Sequence, residues 1–173
     1  MTILSCLLNP TIDQIYTIEN FHVGGTFKVI DSLIYPVGKA ISFSLGIREL
    51  CKNNDNIKVF GLIGEEDISL YSKFLTQKNI DYEFIKIKGQ TRSNKTINDP
   101  IRNTTTHIRE RGFELSKIDI QKLIDLLQAN INEGDIILFS GSIHPKVENN
   151  IYYRLIEISK KKGAFTILDT NGE

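Results

Sequence analysis

Short apolar runs alternate along this chain with longer segments of helical period. Residues 3–8, 57–63, 136–139 and 164–168 are short, nearly continuous and apolar, which predicts strands buried on both faces of a sheet. Between them lie amphipathic stretches. In 116–131, Ile120, Leu123, Ile124, Leu127 and Ile131 recur at helical spacing, with Ser116 and Asp119 as an N-terminal capping pair and Gly134 as a stop. In 67–78, Ile68, Tyr71, Phe74 and Leu75 fall on one face. In 150–162, Ile151, Leu155 and Ile158 do the same, and a closing lysine run suits the negative end of the helix dipole. Strands alternating with helices predict an α/β fold with a parallel sheet flanked by helices.

Two segments, about 15–36 and 82–110, break the alternation: they are β-rich but polar. Tyr82 and Phe84 flank Glu83, and Thr104-Thr105-Thr106-His107-Ile108 is a β-branched run. Such strands do not suit a sheet buried on both sides. They predict a small β lid or dimerisation surface projecting from the body, with two edge hairpins on the main sheet as the alternative.

A length of 173 residues suits one domain, or one domain with a small appendage. Hydrophobic residues at 40% and charged residues at 24% argue against a disordered or fibrous chain. Lys+Arg and Asp+Glu are both 21, so no net field favours nucleic acid or an anionic membrane, and neither is expected as a partner. No apolar run approaches the roughly 18 residues of a membrane span, and the first residues lack the basic start of a signal peptide. Cys6 and Cys51 form no metal or disulfide pattern. A cytoplasmic location is expected.

Ligands of open α/β sheets bind outside the carboxyl ends of the strands. Four polar turns follow the predicted strands: Asn9-Pro10-Thr11-Ile12-Asp13, Gly64-Glu65-Glu66-Asp67, Ser140-Gly141-Ser142 and Asp169-Thr170-Asn171-Gly172-Glu173. All four are expected to converge on one edge. Gly38-Lys39 opens a predicted helix over 41–51, where free N–H groups and a lysine suit an anion, although such a pair is also a common solvated turn. Neither a Walker loop nor a dinucleotide fingerprint is present. His22, His107 and His144 share no metal or triad spacing, which leaves them solvated or hydrogen-bonded roles. Gly134-Asp135 precedes a strand and falls on the wrong side of the sheet for chemistry.

Asn9-Pro10-Thr11-Ile12-Asp13, Gly38-Lys39, Thr91-Arg92, Ser140-Gly141-Ser142 and Leu168-Asp169-Thr170-Asn171-Gly172-Glu173 occur in the same order as in PfkB-type sugar kinases, and the chain resembles that family throughout. The 1-phosphofructokinase and tagatose-6-phosphate kinase branch is the most similar. The resemblance implies a ribokinase-like fold with a β lid, of which this chain is the N-terminal portion, and ATP-dependent phosphorylation of a phosphorylated ketose. By resemblance, Asp13 accepts hydrogen bonds from sugar hydroxyls, Gly38 and Lys39 line the substrate pocket, Arg92 holds the existing phosphate and Ser142 closes the pocket. Lys28 aligns with a basic lid position. A homodimer through the lid is a further implication. The ordinary alternatives are Asp13 and Ser142 as turn caps and Arg92 as a solvated strand residue.

The chain departs from the family pattern in places. The family's Gly-Gly-Lys-Gly-x-Asn reads here Val37-Gly38-Lys39-Ala40-Ile41-Ser42, and Pro-Pro-Gly becomes His144-Pro145-Lys146. Arg109 and Arg111 stand where the family typically has asparagine and proline. The resemblance places the catalytic base, the Mg-linked Asn-x-x-Glu and most of the ATP pocket beyond Glu173. No catalytic residue is therefore expected in this chain, ATP and Mg sites are expected to be largely absent from it, and the isolated chain is expected to be inactive. It reads as a fragment, one part of a split gene or a degenerate copy. The alternatives are a non-catalytic sugar-phosphate binding or interaction protein, and a product that aggregates through an uncovered sheet edge.

Overall fold

The structure, a computed structural model, describes residues 1–51 and 56–170. In chain order its elements are β1 (Thr2–Leu7), β2 (Thr11–Thr17), β3 (Asp31–Val37), α1 (Lys39–Leu50), β4 (Asn56–Gly64), α2 (Ile68–Gln77) and β5 (Asp81–Ile87). These are followed by β6 (Ser93–Asp99), β7 (Thr104–Arg109), α3 (Lys117–Asn130), β8 (Ile136–Ser140), α4 (Ile151–Lys161) and β9 (Phe165–Asp169). The main sheet has the order β5-β4-β1-β8-β9 and every neighbouring pair is parallel.

Successive residues of β1 point to opposite faces, so its continuous apolar run feeds two cores. Leu4 and Cys6 pack with Phe60, Leu62, and the buried faces of α3 (Leu123, Leu127) and α4 (Ile151, Leu155). Ile3 and Leu7 pack with Ile57, Val59, Ala40 and Ile41 of α1, and Tyr71 and Leu75 of α2. Each fully buried Leu or Ile contributes about 1.5–3 kcal/mol relative to exposure. The Ser116 hydroxyl and Asp119 carboxylate cap α3 reciprocally, as their spacing predicts. Among the described residues no helix is long and apolar enough to cross a membrane.

A second, four-stranded sheet has the order β3-β2-β6-β7, with β2 and β6 parallel and the other pairs antiparallel. It corresponds to the lid expected over 15–36 and 82–110, but its strands fall within 11–37 and 93–109, so it begins earlier than expected in the first segment and later in the second. Tyr82 and Phe84 belong to β5, which pairs with β4 at the edge of the main sheet. Phe84 sets its ring 6.1 Å from that of buried Tyr71, and this apolar contact draws the strand to the body. The expectation that 164–168 is buried on both faces also fails: β9 is an edge strand, with Phe165 70% and Leu168 49% exposed. Asp135 is structural, accepting the N–H groups of Thr2 at 2.7 Å and Asn132 at 2.9 Å at the amino end of the sheet.

The far end of the lid is fastened by one carboxylate. Buried Asp99 accepts backbone N–H groups from Asn20 (3.1 Å), Phe21 (2.8 Å), Ile101 (3.0 Å) and Arg102 (3.1 Å). Burial acts to raise its pKa, but these donors outweigh burial and hold it below the usual aspartate value. The folded state therefore favours the ionised form. That stabilisation is complete above the ordinary aspartate pKa and is lost as pH falls through the folded value. Thermal melts of Asp99→Asn should lie below wild type at neutral pH, with the gap narrowing below about pH 4. A pH-independent gap would contradict this assignment.

Candidate functional site

A cleft of about 550 Å³ opens between the carboxyl end of β1 and the lid. Asp13, Gly38, Lys39, Arg92 and Ser142 all line it, together with Asn9, Thr11, Tyr35, Asn94 and Ser140. Lys28 does not line it; it is exposed on the segment between β2 and β3.

The chain leaves β1 at Leu8, passes Asn9-Pro10 and enters the lid at once as β2, so Asp13 is a strand residue rather than part of a turn. Asp13 Oδ1 accepts a hydrogen bond from Asn94 Nδ2 at 3.1 Å. Its other lone pairs remain for a ligand, because an ionised carboxylate only accepts. Tyr71 fastens the base of the lid, its hydroxyl donating to the Thr11 carbonyl at 2.7 Å. Burial, then the Asp67 charge, pushes that hydroxyl's pKa far up, so it stays a donor.

Arg92 is half-buried against the same hinge. Its Nε donates to the Pro10 carbonyl at 3.2 Å and its guanidinium NH2 to the Asn9 carbonyl at 3.4 Å. Burial first, then the charge of Arg109, lowers its pKa from the usual arginine value, although a guanidinium stays protonated. The turn after β4 supports Arg92 from behind. Asp67 Oδ2 accepts the Thr91 N–H at 2.7 Å, and Thr91 Oγ1 accepts the Gly64 N–H at 3.0 Å. A Cβ on Gly64 would fall 2.3 Å from the Thr91 nitrogen, so this close approach requires glycine. The Gly64-Glu65-Glu66-Asp67 turn lies at the same carboxyl edge of the parallel sheet as the other three, but it serves as a prop behind Arg92 and does not line the cleft.

Gly38 (φ 149°) swings the chain from β3 into α1 in a region that favours glycine. No side chain caps α1 and no acid occupies its first turn, so its free N–H groups and positive dipole end face the cleft beside Lys39. Lys39 Nζ donates to Asp169 Oδ2 at 2.9 Å across the tip of β8, with both side chains 58% exposed. Asp169 in turn accepts the Gly141 N–H through its carbonyl at 3.0 Å. Asn171-Gly172-Glu173 lie outside the described residues. Ser142 Oγ is 3.0 Å from Asn9 Nδ2, which donates to it. Buried His144 anchors the next turn: its Nε2 faces the Phe113 carbonyl at 3.0 Å and its Nδ1 accepts the Lys146 N–H at 3.3 Å. Those partners assign the proton to Nε2 and a structural role to the ring.

Among the described residues four buried side-chain polar atoms have no hydrogen-bond partner, and three of them, Thr11 Oγ1, Asn94 Oδ1 and Ser140 Oγ, belong to residues lining this cleft. An unpaired buried polar atom costs about 1–3 kcal/mol. Their concentration here fits a wall that hydrogen-bonds a hydroxylated ligand. Asn94 and Tyr35 were not singled out from the sequence. Asn94 shares a face with Arg92 two residues earlier, a signal visible only once β6 is known to be a strand. No group of three or more His, Cys, Asp or Glu gathers among the described residues.

No family model matches the chain. It is 30% identical over 171 residues to the 1-phosphofructokinase of Bacillus subtilis, covering 99% of this chain and 54% of that one. Its fold matches the structure of phosphofructokinase-2 from Escherichia coli in complex with fructose 6-phosphate, with a TM-score of 0.83 at 22% identity, covering 99% of this chain and 55% of that one. The ribokinase of Thermotoga maritima gives a TM-score of 0.65 at 17% identity, covering 98% and 52%. This chain has a ribokinase-like fold. It spans about half the length of the relatives it matches, and its resemblance to the PfkB-type kinases runs from end to end.

Relieving an orphaned buried polar atom should help stability. Thr11→Val removes the unpaired Oγ1 at nearly constant volume. It is expected to raise stability by about 1 kcal/mol in chemical denaturation. A clear loss of stability would show that the hydroxyl already has a partner within the fold.

Proposed function

We propose that this chain carries the sugar-phosphate-binding part of a PfkB-type phosphosugar kinase, the whole protein phosphorylating a phosphorylated ketose with ATP. The observation that carries the reading is the cleft itself. An acceptor-only carboxylate, Asp13, stands in one wall together with a half-buried guanidinium, Arg92, and the uncapped start of α1 with Lys39, among polar atoms that lack partners. Asp13 accepts two sugar hydroxyls and so fixes the ring's orientation. Arg92 meets a phosphate with its planar fork, backed by the Thr91–Asp67 bond that keeps it from retreating. Ser142, steadied by Asn9, closes the pocket. Lys28, outside the cleft, has no part in this reading. The Escherichia coli neighbour's complex with fructose 6-phosphate supports the choice of ligand class. A phosphosugar substrate also supports a cytoplasmic location.

On this reading the residues described here bind and orient the sugar, while the resemblance assigns phosphoryl transfer, ATP and Mg²⁺ to segments beyond residue 173. Calorimetry on the 173-residue polypeptide should show binding of fructose 1-phosphate, fructose 6-phosphate or tagatose 6-phosphate, weakened by about ten- to a hundred-fold in Arg92→Gln. The same polypeptide with Mg-ATP should give no turnover above a heat-killed control. Absence of binding at millimolar ligand, or clear turnover, would contradict the proposal.

The lid supplies a second element of the reading, a homodimer. Among the described residues neither of its edge strands, β3 and β7, has a further strand beside it, and Val29, Ile30, Leu33, Ile34 and Ile108 are exposed on it. Sedimentation velocity should show a dimer that Leu33→Lys dissociates, and a monomeric wild type would remove this element.

A further inference from the structure

The lid face that meets the cleft carries a row of side chains across all four strands. Register pairs Tyr35 with Asp13, Asp13 with Asn94, and Asn94 with Arg109. Directly paired residues on neighbouring strands point to the same face. The first three members of the row line the cleft; the fourth, Arg109 at the end of β7, is exposed on the same face of the lid, just outside that lining. Beyond Arg109 the chain turns back over Arg92: a Cβ on Gly112 would lie 2.8 Å from Arg92 Cβ. Two guanidiniums are thereby brought into one another's field.

The Asp13 charge supports the Arg92 cation without pairing with it, and Arg109 has no such counterpart among the described residues. Among the described residues neither Arg92 nor Arg109 forms an ion pair with a carboxylate. The neighbouring acids are engaged elsewhere: Glu110 with Lys95 and the Ser93 N–H, Glu114 with Lys146. Asp13 is already held by Asn94. Like charges brought together, one of them half-buried, oppose folding unless an anion offsets them. A phosphate suits the gap, with its double charge and three acceptor oxygens for two planar forks.

We propose that Arg109 is a second phosphate-holding residue of this cleft, acting with Arg92 and making the site selective for phosphorylated over plain sugars. The proposal rests on the phosphosugar reading above and deepens it. The PfkB pattern typically has asparagine at this position, so the second arginine gives this chain a grip on phosphate that the resemblance alone does not supply.

The test is calorimetry on the whole chain with four probes: fructose 1-phosphate, fructose 6-phosphate, fructose and inorganic phosphate. Arg109→Asn should weaken whichever sugar phosphate binds by about ten-fold or more, with a shallower salt dependence, leave fructose unchanged, and be partly rescued by Arg109→Lys. Because Arg109 is exposed and its charge faces that of Arg92, Arg109→Asn should melt at or slightly above wild type without ligand, and Arg109→Lys keeps the comparison meaningful if Arg109→Asn does not fold. Equal sugar-phosphate affinities in wild type and a folded Arg109→Asn would overturn the proposal and leave the phosphosugar reading intact. Inorganic phosphate binding that depends on Arg109, without sugar-phosphate binding, would uphold the anion site and overturn the phosphosugar reading. No phosphate binding of any kind by the wild type would overturn both.

Discussion

β1 sits between β4 and β8 with both faces covered, and the chain runs straight from its carboxyl end into the lid. That arrangement sets the geometry of the cleft. Leu4 and Cys6 on one side, Ile3 and Leu7 on the other, hold the strand by burial, and its ladders with β4 and β8 fix its register, so the point at which Asn9 and Pro10 leave it is not free to drift. Because β2 follows without an intervening loop of any length, the position of Asp13 is inherited from the centre of the sheet. The carbonyls of Asn9 and Pro10, which receive Arg92, are inherited with it.

A second layer of support explains why a half-buried arginine is tolerated without a carboxylate partner. Arg92 satisfies two of its donors on backbone carbonyls, while Thr91 is clamped by Asp67 and Gly64 from the main sheet. Those two hydrogen bonds and the nearby Asp13 charge offset part of its desolvation, and the remainder is left for an anion. The same economy appears at α1, whose first turn carries neither a cap nor an acid. Donors are thus left facing the cleft, with Asp13 as the acceptor among them. Such an arrangement suits a ligand with hydroxyls at one end and an anion at the other.

Much of this was legible from residue order. The runs of β1, β4 and β8, the cap of α3 and the glycine before α1 each have a local signature, and the structure places them as expected. β5 was misplaced because an edge strand with alternating Tyr82, Glu83 and Phe84 has the same pattern as a lid strand; only its contact with Tyr71 separates the two. The exposure of β9 was hidden because a run such as Phe165 to Leu168 looks alike whether its faces are covered or not. Asp99 and Asn94 act through partners about 80 residues away, across a parallel pairing of β2 with β6 that no short-range pattern announces.

On the proposed function, one cleft at the end of β1 receives a phosphorylated sugar through Asp13 and Arg92. The most direct test of that reading is a map of backbone amide shifts during titration of the labelled chain with fructose 6-phosphate. The account predicts saturable shifts concentrated at Asn9, Asp13, Gly38, Lys39, Arg92 and Ser142, with little change in α3 and α4. Shifts confined to the groove between those two helices, or none at millimolar ligand, would contradict it.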